Sequence, residues 1–232
     1  VMDSSDPGII FDENGVCDHV HDFNNSVKPN WDTGKKGKSD LIKIISKIKK
    51  NGKNKDFDCI VGVSGGVDST YLAYIAKKLG LRPLAVHFDN GWNSELAIKN
   101  IEKVLKKLKI ELYTYVVEWE EFRDLQLSFL KAAVPDGEIP TDHAISALLW
   151  KTASKFKIKY ILSGLNFATE AVSVPDWSYG HSDWKYIKSV HKKFGKKKLK
   201  TFPHFNFFEL FYINFIKDVR SVSILNYLDY NK

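Results

Sequence analysis

"IVGVSGGVDSTYLA", Ile60 to Ala73, decides how this chain is read. An apolar run ends in two glycines, an aspartate and a serine, and a helical pattern follows at once. Cys59 to Val63 has strand length and no polar member, as in a strand covered on both faces of a parallel sheet. Leu72, Ile75, Ala76 and Leu79 then recur at helical spacing, and Gly80 is placed to stop the helix. The spacing predicts strand, turn, helix. Gly65 and Gly66 remove side chains where backbone must come close to a ligand, and the helix start adds partial positive charge. Such a turn is an anion site suited to phosphate.

Ser64 and Ser69 add hydroxyl donors to this cradle, which also includes the backbone of Val67. Asp68 repels a polyphosphate unless a divalent cation lies between them. Mg²⁺ resolves the conflict, because it is held by one or two carboxylates together with substrate phosphates. The plainer alternative is that Asp68 or Ser69 caps the helix and the glycines only make a tight turn. The complete "SGGVDS" between an apolar strand and a helix favours nucleotide binding. It is not a Walker A loop, since no Gly-Lys-Ser/Thr ends it. Asp68 and Ser64 are therefore the candidate catalytic residues.

Outward from the turn the pattern repeats. "RPLAVHF" reads as a strand, Ser94 as the cap of a helix presenting Ile98, Ile101, Leu105 and Leu108, and "ELYTYVV" as the next strand. A helix from about Trp119 to Ala133, another opening near "PTDHAISALLWKTASKF", and the strand "KYILSG" complete the series. Alternating strands and helices specify an α/β fold with a doubly wound parallel sheet. Ligands bind such sheets at the carboxyl ends of the strands. This places Asp89, Gly164, Asn166 and Glu170 near the ligand. Asp89 contacts adenosine or metal, or is an ordinary loop carboxylate; Gly164 permits close approach; Asn166 and Glu170 face the cleft. Thr141 and Asp142 read first as a helix cap and second as substrate contacts, and His143 as structural. Trp177, Tyr179, His181, Asp183 and Trp184 are types that stack on a sugar or base, or simply fill a core. Trp177 and His181 are taken as substrate-binding candidates.

The chain of 232 residues suffices for one full α/β core with some length to spare. Residues 1–55 lack strong periodicity and carry turn signals, so they read as an N-terminal appendage and linker, with residues 56–232 as the main domain. No stretch reads as a membrane span or a signal peptide. "FPHFNFFELFYINFI" is broken by polar residues and reads as a buried or partner-facing helix. Two cysteines, Cys17 and Cys59, give no disulfide framework and fit a reducing, cytoplasmic compartment. The net charge of +7 lies largely in two lysine-rich stretches, which read as solvated faces that also attract anionic small substrates. Val1 in place of methionine suggests a fragment.

The "SGGVDS" turn resembles the pyrophosphatase loop (PP-loop) of the N-type ATP pyrophosphatases, which cleave ATP between the α- and β-phosphates. "DPGIIFDENGVCDHVHDF", "HFDNGWNSELAIKNI", "IPTDHAI", "SGLNFATE" and "YGHSDWKYIKSVHKKFG" together resemble the N-acetyl sugar amidotransferases of lipopolysaccharide O-antigen biosynthesis. The resemblance implies an adenine nucleotide alpha hydrolase-like fold. It also implies conversion of an acetamido group on a nucleotide-linked sugar to an acetamidino group with ATP, Mg²⁺ and ammonia. A glutaminase subunit and a cyclase-like subunit supply the ammonia in that family. The assignments that follow are pyrophosphate binding by Ser64, Gly65, Gly66 and Ser69, and Mg²⁺ ligation by Asp68. Members of that family carry two Cys-x-x-Cys pairs near the N-terminus, whereas here Val20 stands at the second cysteine of the Cys17 pair; no zinc is expected. The family also extends past "LNYLDYNK", so a C-terminal part is expected to be missing. Two other readings stand beside this one, a tRNA-modifying PP-loop enzyme and a non-enzymatic nucleotide-binding module.

Overall fold

The computed structural model describes residues 5–172, 174 and 177–230. Strands β1 (Cys59–Gly62), β2 (Pro83–Asp89), β3 (Glu111–Val116), β4 (Tyr160–Leu162) and β5 (Arg220–Val222) form one sheet in the order β3-β2-β1-β4-β5. Every neighbouring pair is parallel. Val61 of β1 lies opposite Ala85 of β2 and Leu162 of β4. The chain winds outward from β1 to β3, returns to lay β4 on the other side of β1, and continues to β5. The order therefore reverses between β1 and β4, and the crevice beyond their carboxyl ends is where such sheets bind ligands.

The helices are α1 (Asp18–Asp22), α2 (Lys35–Gly52), α3 (Val67–Lys78), α4 (Glu95–Leu108), α5 (Trp119–Ala132), α6 (Ile139–Lys155), α7 (Phe167–Glu170), α8 (Trp184–Phe194) and α9 (Phe207–Phe211). Buried side chains of α2, α3 and α4 cluster with Cys59 and Val61 on one face, and those of α5, α6 and α8 cluster with Ile60 on the other. Alternate residues of β1 thus serve opposite layers, the reason its run is apolar throughout. Gly80 closes α3 at φ 74° with Leu81 N–H on Ala76 O and Gly80 N–H on Lys77 O. That is the paired bonding of a Schellman cap. Ser94 caps α4 as its position predicts, its hydroxyl accepting from Ala97 N–H.

One expectation is corrected. Within residues 1–55 the supposed linker is α2, which buries Leu41, Ile45 and Ile48 in the main core. Burial of each such side chain contributes about 1.5–3 kcal/mol, so α2 is part of the domain's stability. Its far end is fixed by Arg82, which donates to both oxygens of buried Asp58 and to the carbonyls of Lys55 and Gly52.

Glu121 and Asp124, one turn apart on α5, hold the segment after α8. Glu121 Oε2 accepts from the amides of Lys200, Thr201 and Phe202, and Asp124 Oδ2 from those of Lys196 and Lys197 and from His191. Burial pushes both carboxyls up, but these donors outweigh it and hold both below the ordinary carboxylate range. A lowered folded pKa gives stability that is complete above the unfolded value and lost as pH falls through the folded one. Glu121→Gln is expected to lower the thermal midpoint at pH 7 and to flatten its fall on acidification below about pH 4.5; a melting series across pH checks both.

The segment "FFELFYINFI" is neither a buried helix nor a uniform one. It forms α9 and a π-helical turn, Tyr212–Ile216, in which Ile213 is buried while Phe207, Phe208 and Phe215 stand exposed. Among the described residues no helix is long and apolar enough to cross a membrane.

Candidate functional site

The β1–α3 turn lies at the strand-order reversal. Gly65 has φ 79°, which an L side chain resists, and a Cβ there would stand 2.5 Å from Ala97 O of α4. Gly66 differs: its φ is −78°, and a Cβ would meet only Ser64 Oγ at 3.4 Å. The first glycine is thus required by fold and packing, the second by closeness to whatever approaches from outside. Ser64 Oγ and Ser69 Oγ are 3.2 Å apart, and Ser69 Oγ reaches Gly66 O. No side chain caps α3. The N-cap of this twelve-residue helix is Gly66, which has no side chain to cap with, and the helix start carries partial positive charge.

Asp68 stands at the crevice itself. Tyr230 donates its hydroxyl to Asp68 Oδ1 and stacks on Tyr71, with ring centroids 5.0 Å apart. Burial and then the Asp68 carboxylate push the Tyr230 phenol up to about 12, and Glu170 pushes the same way. Glu170, at the end of α7, is the last of the groups acting on that phenol. Gly164, after β4, closes the crevice: a Cβ there would lie 3.8 Å from Asp68 Cβ and 4.0 Å from Ser69 N. Ser64, Gly65, Gly66, Val67, Asp68, Ser69 and Gly164 therefore share one locus.

Other predicted residues do different work. Asn166 is buried, and its Oδ1 accepts from Thr169 N–H and Oγ1–H to cap α7, so it does not face the cleft. Asp89 takes the ordinary-carboxylate course, its Oδ1 accepting from Gly91 N–H and from Asn93 Nδ2 to shape the loop after β2. Thr141 and Asp142 do not cap α6, which begins before them at Ile139 with Glu138 as its uncapped neighbour. Asp142 instead approaches His181 Nε2 at 3.5 Å, with Asp136 at 3.1 Å on the same nitrogen. Burial, then nearby Glu138 and Asp136, raise the Asp142 carboxyl, although His181 opposes them. His143 is fully buried against Phe205 and Trp184, and Trp184 stacks on His204, so these rings are core. Asp183 caps α8. Trp177 and Tyr179 remain partly exposed, as ligand-stacking rings require; part of the stretch between them and α7 (173, 175 and 176) lies outside the described residues.

Two residues escape the sequence reading. His87 is buried in β2, with Nδ1 2.9 Å from Val63 O and Nε2 3.4 Å from Asn93 Nδ2. The carbonyl needs a donor and the amide NH₂ an acceptor, which assigns the Nδ1–H tautomer. His87 so ties the strand end that launches the turn to the loop after β2. The signal was a lone imidazole in an apolar run. Tyr230 gave none, because 162 residues separate it from Asp68.

Asp68, beside the anion cradle of the turn, has the chemistry to hold Mg²⁺ together with substrate phosphates. Among the described residues no group of three or more His, Cys, Asp or Glu is arranged to hold a metal without such a ligand. His19 Nε2 pairs with Asp6 Oδ2 at 2.6 Å.

Two solved structures align along most of the chain at low identity. NMN synthetase from Francisella tularensis aligns over 85% of this chain and 74% of its own, at 18% identity and TM-score 0.42. The NH3-dependent NAD synthetase from Campylobacter jejuni subsp. jejuni aligns over 68% and 72%, at 15% identity and TM-score 0.43. The parallel sheet and its "SGGVDS" turn define the class as the PP-loop superfamily of ATP-using enzymes. Residues 58–176 match the family described as queuosine biosynthesis protein QueC, and the chain belongs to that family. The 7-cyano-7-deazaguanine synthase of Campylobacter jejuni subsp. doylei is 37% identical over 68 residues, covering 29% of each chain. The tRNA(Ile)-lysidine synthase of Chlamydia pneumoniae is 35% identical over 71 residues, 29% of this chain and 22% of that one. The chain thus matches less than a third of the length of these relatives.

Proposed function

We propose that the chain activates a carbonyl oxygen with ATP, releasing pyrophosphate, and that ammonia then displaces AMP, the carbonyl being the acetamido group of a nucleotide-linked sugar. The observation that carries the reading is the "SGGVDS" turn at the strand-order reversal, with the α3 N-terminus and Asp68 on one crevice. The sugar rests on the motif resemblance along the chain.

An amide carbonyl is a poor electrophile with a poor leaving group. Attack of its oxygen on the α-phosphorus forms an O–P bond, breaks the bond to the bridging oxygen, and loses the amide proton, giving an imidate adenylate and pyrophosphate. Ammonia then adds to carbon, AMP departs with the C–O bond, and a proton is released as the amidine forms. The turn's task is to hold the β- and γ-phosphates while charge builds on the departing pyrophosphate. Ser64 and Ser69 donate hydroxyls there, the α3 amides add their field, and Gly164 leaves room for the acceptor from the β4 side. Mg²⁺ would be held by Asp68 and would neutralise the phosphates as they separate. Ammonia from a glutaminase subunit, with a cyclase-like subunit, is part of the same proposal.

The family match favours a second reading, a reaction of the 7-cyano-7-deazaguanine synthase kind. A tRNA thiolation reading is weaker, because Cys59 is buried in β1 with its thiol pushed well above the ordinary range, leaving Cys17 alone. Incubation with ATP, Mg²⁺ and ammonium, and either an acetamido nucleotide sugar or a 7-deazaguanine carboxylate, separates the readings. The expected result is AMP release only with the sugar, together with exchange of one oxygen for NH in its mass spectrum. AMP release only with the deazapurine would replace the sugar in this proposal.

A further inference from the structure

We infer that the chain has a second anion site, separate from the turn, that takes a small phosphate-bearing ligand. A cavity of about 320 Å³ opens on the far edge of the sheet, between β3, the second half of α6, and residues 200–204. It lies two strands from β1 on the layer packed by α5, α6 and α8. Lys151 and Lys155, on successive turns of α6, and Lys200, on the opposite wall, line it, and among the described residues no carboxylate does. Glu209, outside the lining, approaches Lys151 at 3.6 Å, while its other oxygen accepts from Asn206 N–H.

The cavity is built before any ligand arrives. Its 200–202 wall hangs from buried Glu121 by three amides and the Thr201 hydroxyl, and Tyr115 donates its hydroxyl to Thr201 O from the β3 side. Lys155 is exposed, with Nζ 5.4 Å from the ring centroid of Tyr113, which lines the cavity, and 5.6 Å from that of Phe156, which does not. Thr152 gives a buried hydroxyl at the floor, and the His204 ring, backed by Trp184 at 4.1 Å, offers a flat wall. Lysines around a pocket with a ring-sized wall suit a multivalent anion carried on a small cyclic ligand. The volume suits a mononucleotide or sugar phosphate better than a polymer.

Calorimetric titration of the full chain with inorganic pyrophosphate and Mg²⁺ at low salt tests this. Two sites are expected. Lys155→Gln with Lys200→Gln keeps the aliphatic stems and is expected to weaken one site by at least about tenfold, with the thermal midpoint unchanged. Ser64→Ala with Ser69→Ala is expected to remove the other site only. A single site in the wild-type chain that vanishes with the serine pair would overturn the inference. So would a lysine pair that leaves pyrophosphate binding intact but abolishes binding of bulk tRNA, since the lysines would then serve a polynucleotide.

Discussion

Gly65→Ala is expected to reduce pyrophosphate release from ATP by at least about 100-fold and to destabilise the fold, whereas Gly66→Ala is expected to spare the fold. At Gly65 the positive φ costs an L residue about 1–2 kcal/mol. The added methyl also meets the Ala97 carbonyl at 2.5 Å, so α4 or the turn must shift; such overpacking costs about 1–3 kcal/mol. At Gly66 the backbone is in an ordinary region and the nearest atom is the end of a serine side chain at 3.4 Å. Its substitution should change stability by less than about 1 kcal/mol, while the methyl intrudes where phosphate oxygens would approach. Denaturant melts and initial rates of pyrophosphate release on both variants check the contrast. Equal destabilisation would mean that the two glycines share one structural role.

Asp68→Asn is expected to lower turnover by about 10²–10³-fold and to leave the melting midpoint nearly unchanged. The amide keeps the shape and still offers an oxygen to the Tyr230 hydroxyl, so the link to the C-terminal segment survives. What disappears is the charge that faces a cation. Tyr230 gives an internal control, since its phenol, pushed up to about 12 by burial and by Asp68, should titrate lower in the variant while burial keeps it above the ordinary value. An ultraviolet titration reads that shift without any substrate. Unchanged turnover with a lowered phenol pKa would remove Asp68 from the chemistry while confirming its contact.

Much of the fold, and the place of the turn within it, were legible because short-range rules set them. The apolar run of β1 must be covered on both faces, the glycines must turn, and Ser94 must cap α4; each follows from a few neighbouring residues. α2 went unread because its lysines mask the spacing of Leu41, Ile45 and Ile48. β5 has three residues, too few for any period, and is a strand only because β4 lies beside it. The difference between Gly65 and Gly66 lies in Ala97, a residue of another helix, so no reading of the turn alone reveals it. Asn166 stands at a strand end, where a ligand contact and a helix cap call for the same side chain, and the cap won. The lysines of 196–200 read as a solvated face, whereas buried Glu121 and Asp124 fold their backbone into a fixed wall.

The central claim is that the β1–α3 turn receives the part of ATP that leaves as pyrophosphate. A crystal of the chain with Mg²⁺ and an ATP analogue blocked between the α- and β-phosphates tests it most directly. The account predicts β- and γ-phosphate oxygens on the amides of 65–69 with the ion on Asp68. Triphosphate density elsewhere, with the turn closed by Tyr230, would contradict it.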